Sequence, residues 1–148
     1  MAAFEANIEI EIFNQSGQPL PLSESDTQHI VSAVMVHEKC AFRLVEIVYV
    51  DENEIIRINK QYLDRDYVTD IISFRYDESA DNDRIEGTLY CCAPRIREQS
   101  LEFGEPVKRE FFRILIHGLL HLVGYEDQPE EEKDKMRARE NFYLKEIT

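Results

Sequence analysis

VKREFFRILIHGLLHLVGYED, residues 107–127, is the stretch on which the fold turns. From Phe111 onward its apolar side chains fall on nearly every side of a helical wheel, which predicts a helix buried in a core. Pro106 opens it, since proline suits a first helical turn. Gly124 ends it after Leu122 or Val123, where the chain must turn through left-handed geometry. Inside this apolar run sit His117 and His121. At i,i+4 they project from one face, one turn apart, so two imidazole nitrogens can reach one ion at about 2.0–2.1 Å. Asp127 follows six residues later, just past the glycine, completing H-x-x-x-H-x-x-G-x-x-D. A helix that stops at Gly124 can reverse and bring a third ligand back over the first two, a device metzincin proteases share.

Each part has a plainer reading. A histidine pair at this spacing is often structural, and Asp127 lies where it could cap the next helix. The combination weighs more, because two neutral imidazoles on a buried helix need polar partners. The expectation is one divalent ion, zinc first, held by His117, His121 and Asp127. Gly118 costs the helix about 1 kcal/mol relative to alanine, which close approach of a strand or a substrate would explain. It also occupies the position where an HExxH peptidase carries its general base. Arg113, one turn before His117, is either a phosphate contact near the ion or a partner of Glu110.

Working outward, Ile8, Ile10 and Ile12 alternate through residues 8–13, predicting a half-buried strand. Residues 23–40 predict a helix with Ile30, Val31, Val34 and Met35 as its stripe. Residues 43–50 are rich in β-branched side chains and predict a strand. Asp51 caps a helix containing Ile55, Ile56, Ile58 and Tyr62. A charged loop spans 63–68, and a third strand 70–76. A polar loop follows at 77–84, then a fourth strand at 87–92. The last two strands are expected to form an antiparallel hairpin. Pro94 opens a short helix to about Leu101, and Pro129 opens a final charged helix anchored by Met136, Phe142 and Tyr143. The order βαβαββααα implies an α/β (α+β) fold: a mixed four-stranded sheet with helices around it and the metal site at the end of a buried helix.

The 148 residues suit one domain over 1–148. No stretch approaches the roughly 20 apolar residues of a membrane span. No basic segment leads into an apolar one at the N-terminus, so the cytoplasm is the expected location. Cys40, Cys91 and Cys92 are odd in number and lack CxxC spacing, so buried reduced thiols are expected. The net charge of −13 argues against a broad nucleic-acid-coating surface but leaves room for a local basic patch. Arg65, Arg75, Arg95, Arg97, Lys108, Arg109 and Arg113 are the candidates for one.

HGLLHLVGYED resembles the signature H-G-x-L-H-L-x-G-Y-[DE]-H of the YbeY family of bacterial single-strand-specific endoribonucleases, differing only at the last position. Asn59, Tyr62, Asp66, Thr69, Asp70, Ser73 and Phe74 match a second family pattern, and residues 87–92 a weaker third. The resemblance runs from about residue 44 to the end. It implies a mixed α/β fold, zinc in a cleft, cleavage of single-stranded RNA, and a part in ribosomal RNA maturation at the small ribosomal subunit. Three departures stand out. Asp127 replaces the third histidine ligand. Leu63 stands where the family has a functional arginine, whose role is lost or passes to Arg65. Thr88 replaces the aspartate of the Gly-Asp strand opening. With Arg65 and Arg113 as catalytic candidates, the expected activity is a metal-dependent endoribonuclease. The alternatives are a metal-stabilised ribosome-assembly factor with little catalysis and a metal hydrolase of another substrate. Two histidines and one carboxylate leave a divalent ion at +1 rather than +2, so manganese or magnesium should compete better with zinc than at three histidines.

Overall fold

The computed structural model describes residues 8–77 and 81–147. Residues 1–7, part of the predicted loop at 78–80, and Thr148 lie outside them. The expected element order is present. β1 (Glu9–Asn14), α1 (Glu24–Glu38), β2 (Phe42–Val50) and α2 (Glu52–Leu63) lead into the hairpin of β3 (Ile71–Arg75) and β4 (Ile85–Cys92). Then come α3 (Ala93–Phe103), α4 (Val107–Val123) and α5 (Glu130–Ile147).

The sheet order is β1-β2-β4-β3. β1 pairs parallel to β2, and β2 parallel to β4. β3 runs antiparallel to β4 with Ser73 opposite Leu89, as the short connection between them predicts. Period-two alternation divides the two faces. Val45, Ile47, Tyr49, Ile85, Leu89 and Cys91 point into the main core with α1, α3, α4 and α5. Val50, Ile72 and Cys92 meet Ile55 and Ile58 of α2 on the other face.

The helix starts carry local chemistry. Ser23 and Asp26 form a reciprocal capping box on α1. Asp51 Oδ1 accepts from the Glu54 amide at 2.9 Å, the predicted cap of α2. That helix takes in Leu63 and ends at Asp64 in left-handed geometry, so the charged loop begins one residue later than expected. Buried Asn59 donates from Nδ2 to the Tyr67 carbonyl and the Thr69 hydroxyl, pinning the loop that carries Arg65 and Asp70.

α4 is buried on all sides except one ridge. Arg113, His117 and His121, four residues apart, are its half-exposed positions within residues 111–122. Gly118 faces the sheet so closely that a Cβ there would lie 2.5 Å from Ile71 Cδ1 and 3.0 Å from Leu89 Cδ1. A strand is therefore what approaches this glycine. At Gly87 the clash is harder: a Cβ would lie 2.7 Å from both Leu122 Cδ2 and the Phe74 carbonyl oxygen.

The C-terminus of α4 is held by side chains from the hairpin. Gly124 (φ 124°) turns the chain, and the Tyr125 amide bonds back to the Leu120 carbonyl at 3.0 Å. Arg75 donates to the Leu122 carbonyl at 2.9 Å and to Asp77 through two nitrogens. Asn82 donates to the Val123 carbonyl at 2.9 Å. All three cysteines are buried and free. Burial pushes the Cys40 thiol up to about 12 and Cys92 up to about 11, which leaves them unreactive.

Two outcomes test this packing. Gly87→Ala should lose about 1–3 kcal/mol in urea unfolding, because the Phe74 backbone cannot move aside as a side chain could. Unchanged stability would show that the sheet relaxes freely there. The second concerns Asp77, whose carboxyl the Arg75 hydrogen bond holds down at about 2 against an ordinary 3.8. A depressed folded value gives stability that is present above pH 3.8 and lost as pH falls towards 2. Asp77→Asn should thus cost about 2 kcal/mol at neutral pH, with the gap to wild type closing between pH 4 and 2.

Candidate metal centre

His117, His121 and Asp127 converge. The two Nε2 atoms lie 3.0 Å apart. Asp127 Oδ2 stands 3.4 Å from His121 Nε2 and 3.7 Å from His117 Nε2. Ligands at about 2.0–2.1 Å in a tetrahedral shell are separated by roughly 3.3 Å, so all three spacings suit one ion. Among the described residues these three form a cluster able to hold a metal.

The hydrogen bonds behind the imidazoles decide which nitrogens face the centre. His117 Nδ1 lies 2.6 Å from Glu140 Oε2, and His121 Nδ1 lies 3.0 Å from the Tyr125 carbonyl oxygen. A carboxylate and a carbonyl only accept, so each Nδ1 must carry a proton. In the neutral tautomer that leaves both Nε2 atoms bare, with lone pairs opposed at 3.0 Å. A cation between them removes that repulsion. The backing groups fix tautomer and ring orientation in the manner usual for metal-bound histidine.

Charge points the same way. Glu110 and Glu140 are both buried. Arg113 donates to both, at 3.1 Å to Glu140 Oε1 and through two nitrogens to Glu110. Two carboxylates thus share one guanidinium, and the remaining negative charge faces His117. Burial alone pulls the His117 pKa down. The Glu140 contact outweighs it, Asp70 and Asp127 add, and the result lies above the ordinary 6.5. The surroundings of this imidazole are therefore negative and favour positive charge at it.

Two clefts meet at the centre. One, of about 410 Å³, is lined by His117, His121 and Asp127 together with Leu63, Arg65, Asp70 and Arg75. The other, of about 470 Å³, lies towards α5 and shares His117 and Asp127. Asp127 is the open member, with half of its side chain exposed, whereas His117 keeps 20%.

The basic candidates do not gather here. Arg65 lines the first cleft and is exposed. Arg75 spends its guanidinium on Asp77 and the end of α4. Arg113 takes up Glu110 and Glu140, so the ion-pair alternative is the one realised. Arg95 pairs with Glu98 and Glu102, Lys108 with Asp26, and Arg109 with Glu105. Arg97 reaches Gln18 and the Pro19 carbonyl. Sequence reasoning missed Glu140, which sits 23 positions beyond His117 and looks like one more charge on a charged helix. A period-3.6 count from Met136 through Glu140 to Tyr143 and Leu144, all buried, was the available signal.

A family model described as Endoribonuclease YbeY matches residues 11–148. The chain is 33% identical over 147 residues to an Endoribonuclease YbeY of Flavobacterium psychrophilum, covering 98% of this chain and 95% of that one. It is 42% identical over 104 residues to an Endoribonuclease YbeY of Phocaeicola vulgatus, covering 69% and 73%. The solution structure of TM1509 from Thermotoga maritima matches with a TM-score of 0.61 at 23% identity, over 93% of this chain and 88% of that one. That last likeness is one of fold.

The Glu140 contact can be tested without any metal. Glu140→Gln keeps an acceptor for Nδ1 but removes the charge. In metal-free protein the His117 pKa, followed by NMR, should fall, because the main contribution opposing burial is then lost while only Asp70 and Asp127 remain to raise it. The sign carries over to stability. A raised folded value stabilises below pH 6.5 and loses that contribution as pH rises through it, so the variant should show a flatter dependence there. An unmoved His117 titration would remove Glu140 from this role.

Proposed function

The chain belongs to the endoribonuclease YbeY family, and on that footing we propose that it is a metal-dependent, single-strand-specific endoribonuclease of ribosomal RNA maturation, working as one hydrolase domain over residues 1–148. The observation that carries the metal dependence is the pair of bare Nε2 atoms 3.0 Å apart, each with its Nδ1 tied behind it. His117, His121 and Asp127 hold the ion. A divalent ion supplies Lewis acidity at this point, offsetting phosphate charge and acidifying water.

The chain's own groups do the rest. Glu140 and the Tyr125 carbonyl keep the imidazoles aimed. Arg113 acts through Glu140 as a positioning residue. Arg65, exposed on the wall of the cleft that holds all three ligands, is the side chain able to meet a phosphate oxygen there. It lies two positions beyond Leu63, where the family arginine is missing. Single-strand preference accords with the half-buried setting of His117: a flexible single strand can bend its backbone down between the walls, whereas an A-form duplex keeps a wide, fixed shape. Zinc fits two imidazoles and a carboxylate, and the carboxylate leaves manganese or magnesium as competitors. Among the described residues no helix is long and apolar enough to cross a membrane. A cytoplasmic site of action on the small-subunit RNA accords with the family relationship.

Metal analysis of protein purified without chelator should find one divalent ion per chain, and His117→Ala should lose it. Incubated with single-stranded and duplex RNA, the loaded protein should cut the single strand alone, and His117→Ala should fall at least a hundredfold. Equal cleavage by both proteins would mean a contaminating nuclease. Metal without cleavage would favour the assembly-factor alternative.

A further inference from the structure

The α5 side of the metal centre carries two cations that nothing so far explains. Lys133 and Arg137 are four residues apart, so they project from one face of α5. Both line the cleft of about 470 Å³ whose wall includes His117 and Asp127. Both are exposed, and among the described residues neither side chain forms an ion pair or hydrogen bond. Their neighbours on the same helix behave differently: Lys135 pairs with Glu132, and Arg139 with Glu38. In a chain with 30 acidic and 17 basic residues, two unpaired cations beside the centre stand out.

The local charge balance supports an anionic occupant. Arg113, Lys133 and Arg137 face Asp127, Glu130 and Glu140 around this cleft. The lining is therefore neutral before a divalent ion is counted and positive with it, within a protein of net charge −13. Arg113 and Glu140 engage each other, and Asp127 turns to the imidazoles. Glu130 is the carboxylate left against Lys133 and Arg137.

We propose that Lys133 and Arg137 form a phosphate-binding subsite that holds the backbone of single-stranded RNA on the α5 side of the metal centre. Arg65 lies in the cleft on the other side, so a strand crossing the centre meets a cation on each flank. This rests on the endoribonuclease reading and assigns to this chain's own α5 a share in substrate binding. Contacts of this kind read phosphate rather than base, so they should act alike on all sequences.

The test is the salt dependence of binding to a fluorescein-labelled oligouridylate, followed by anisotropy over times in which gels show the RNA intact. Each phosphate contact on a single strand contributes about −0.7 to the slope of log K against log salt. The double variant Lys133→Ala, Arg137→Ala should therefore reduce the slope by about 1.4. Put otherwise, raising salt from 50 to 200 mM should cost wild type about sevenfold more affinity than it costs the variant. Lys135→Ala, on a residue already paired with Glu132, is the control and should leave the slope alone. Unchanged thermal melting establishes that the variants fold. A wild-type slope in the folded double variant overturns the subsite while leaving the endoribonuclease reading intact. An equal drop in Lys135→Ala also overturns it, as diffuse charge would then account for the effect. Wild-type protein that neither binds nor cuts the RNA overturns both.

Discussion

The contact between α4 and the β3–β4 hairpin carries the rest of the molecule. Gly118 brings the helix backbone down onto Ile71 and Leu89, and Gly87 makes room beneath Leu122. Close-packed interiors transmit even a one-carbon change, so these two absent side chains set the height of the helix above the sheet. With one face pressed on the hairpin, the opposite ridge of Arg113, His117 and His121 is left half-open. The hairpin then grips the helix end as well, through Arg75 and Asn82 on its last carbonyls. The histidine pair and the glycine turn that leads to Asp127 are thereby fixed relative to β3, which forms one wall of the cleft.

On that frame sits a chain of buried charge. Glu110 and Glu140 are costly to bury, and each survives because Arg113 reaches it. The surplus negative charge is spent in one place, behind His117. It raises that imidazole's preference for positive charge and selects Nε2 as the nitrogen that faces the centre. The negative end of the α4 dipole also points this way, since His121 lies in its last turn. At a metal site the groups behind the histidines would govern aim and basicity; the groups behind these two imidazoles come from α4, the turn after it, and α5.

Much of this was legible in residue order. The apolar periodicity of residues 111–123 foretold a buried helix, and the four-residue step from His117 to His121 a shared face. Asp51, Ser23 and Gly124 marked helix ends through capping chemistry that acts within a few residues. The side of the site that faces α5 was not legible. Glu140, Lys133 and Arg137 lie in a run where acidic and basic residues alternate, and the pattern does not say which charges turn inward. The basic candidates show the same limit: Arg75 proved to be a helix cap and Arg113 a clamp on two carboxylates, whereas Arg65 stayed open.

Sequence by itself determined the element order, the helix that bears the histidine pair and the convergence of His117, His121 and Asp127, because such properties depend on spacings of one to six residues along a chain of known geometry. Tertiary structure alone decided that Gly118 meets a strand, that Glu140 stands behind His117 across 23 positions, and that two cations of α5 look into the same cleft. Those facts depend on how helices stack. Packing is settled by shape and burial summed over the whole core, which no local stretch encodes.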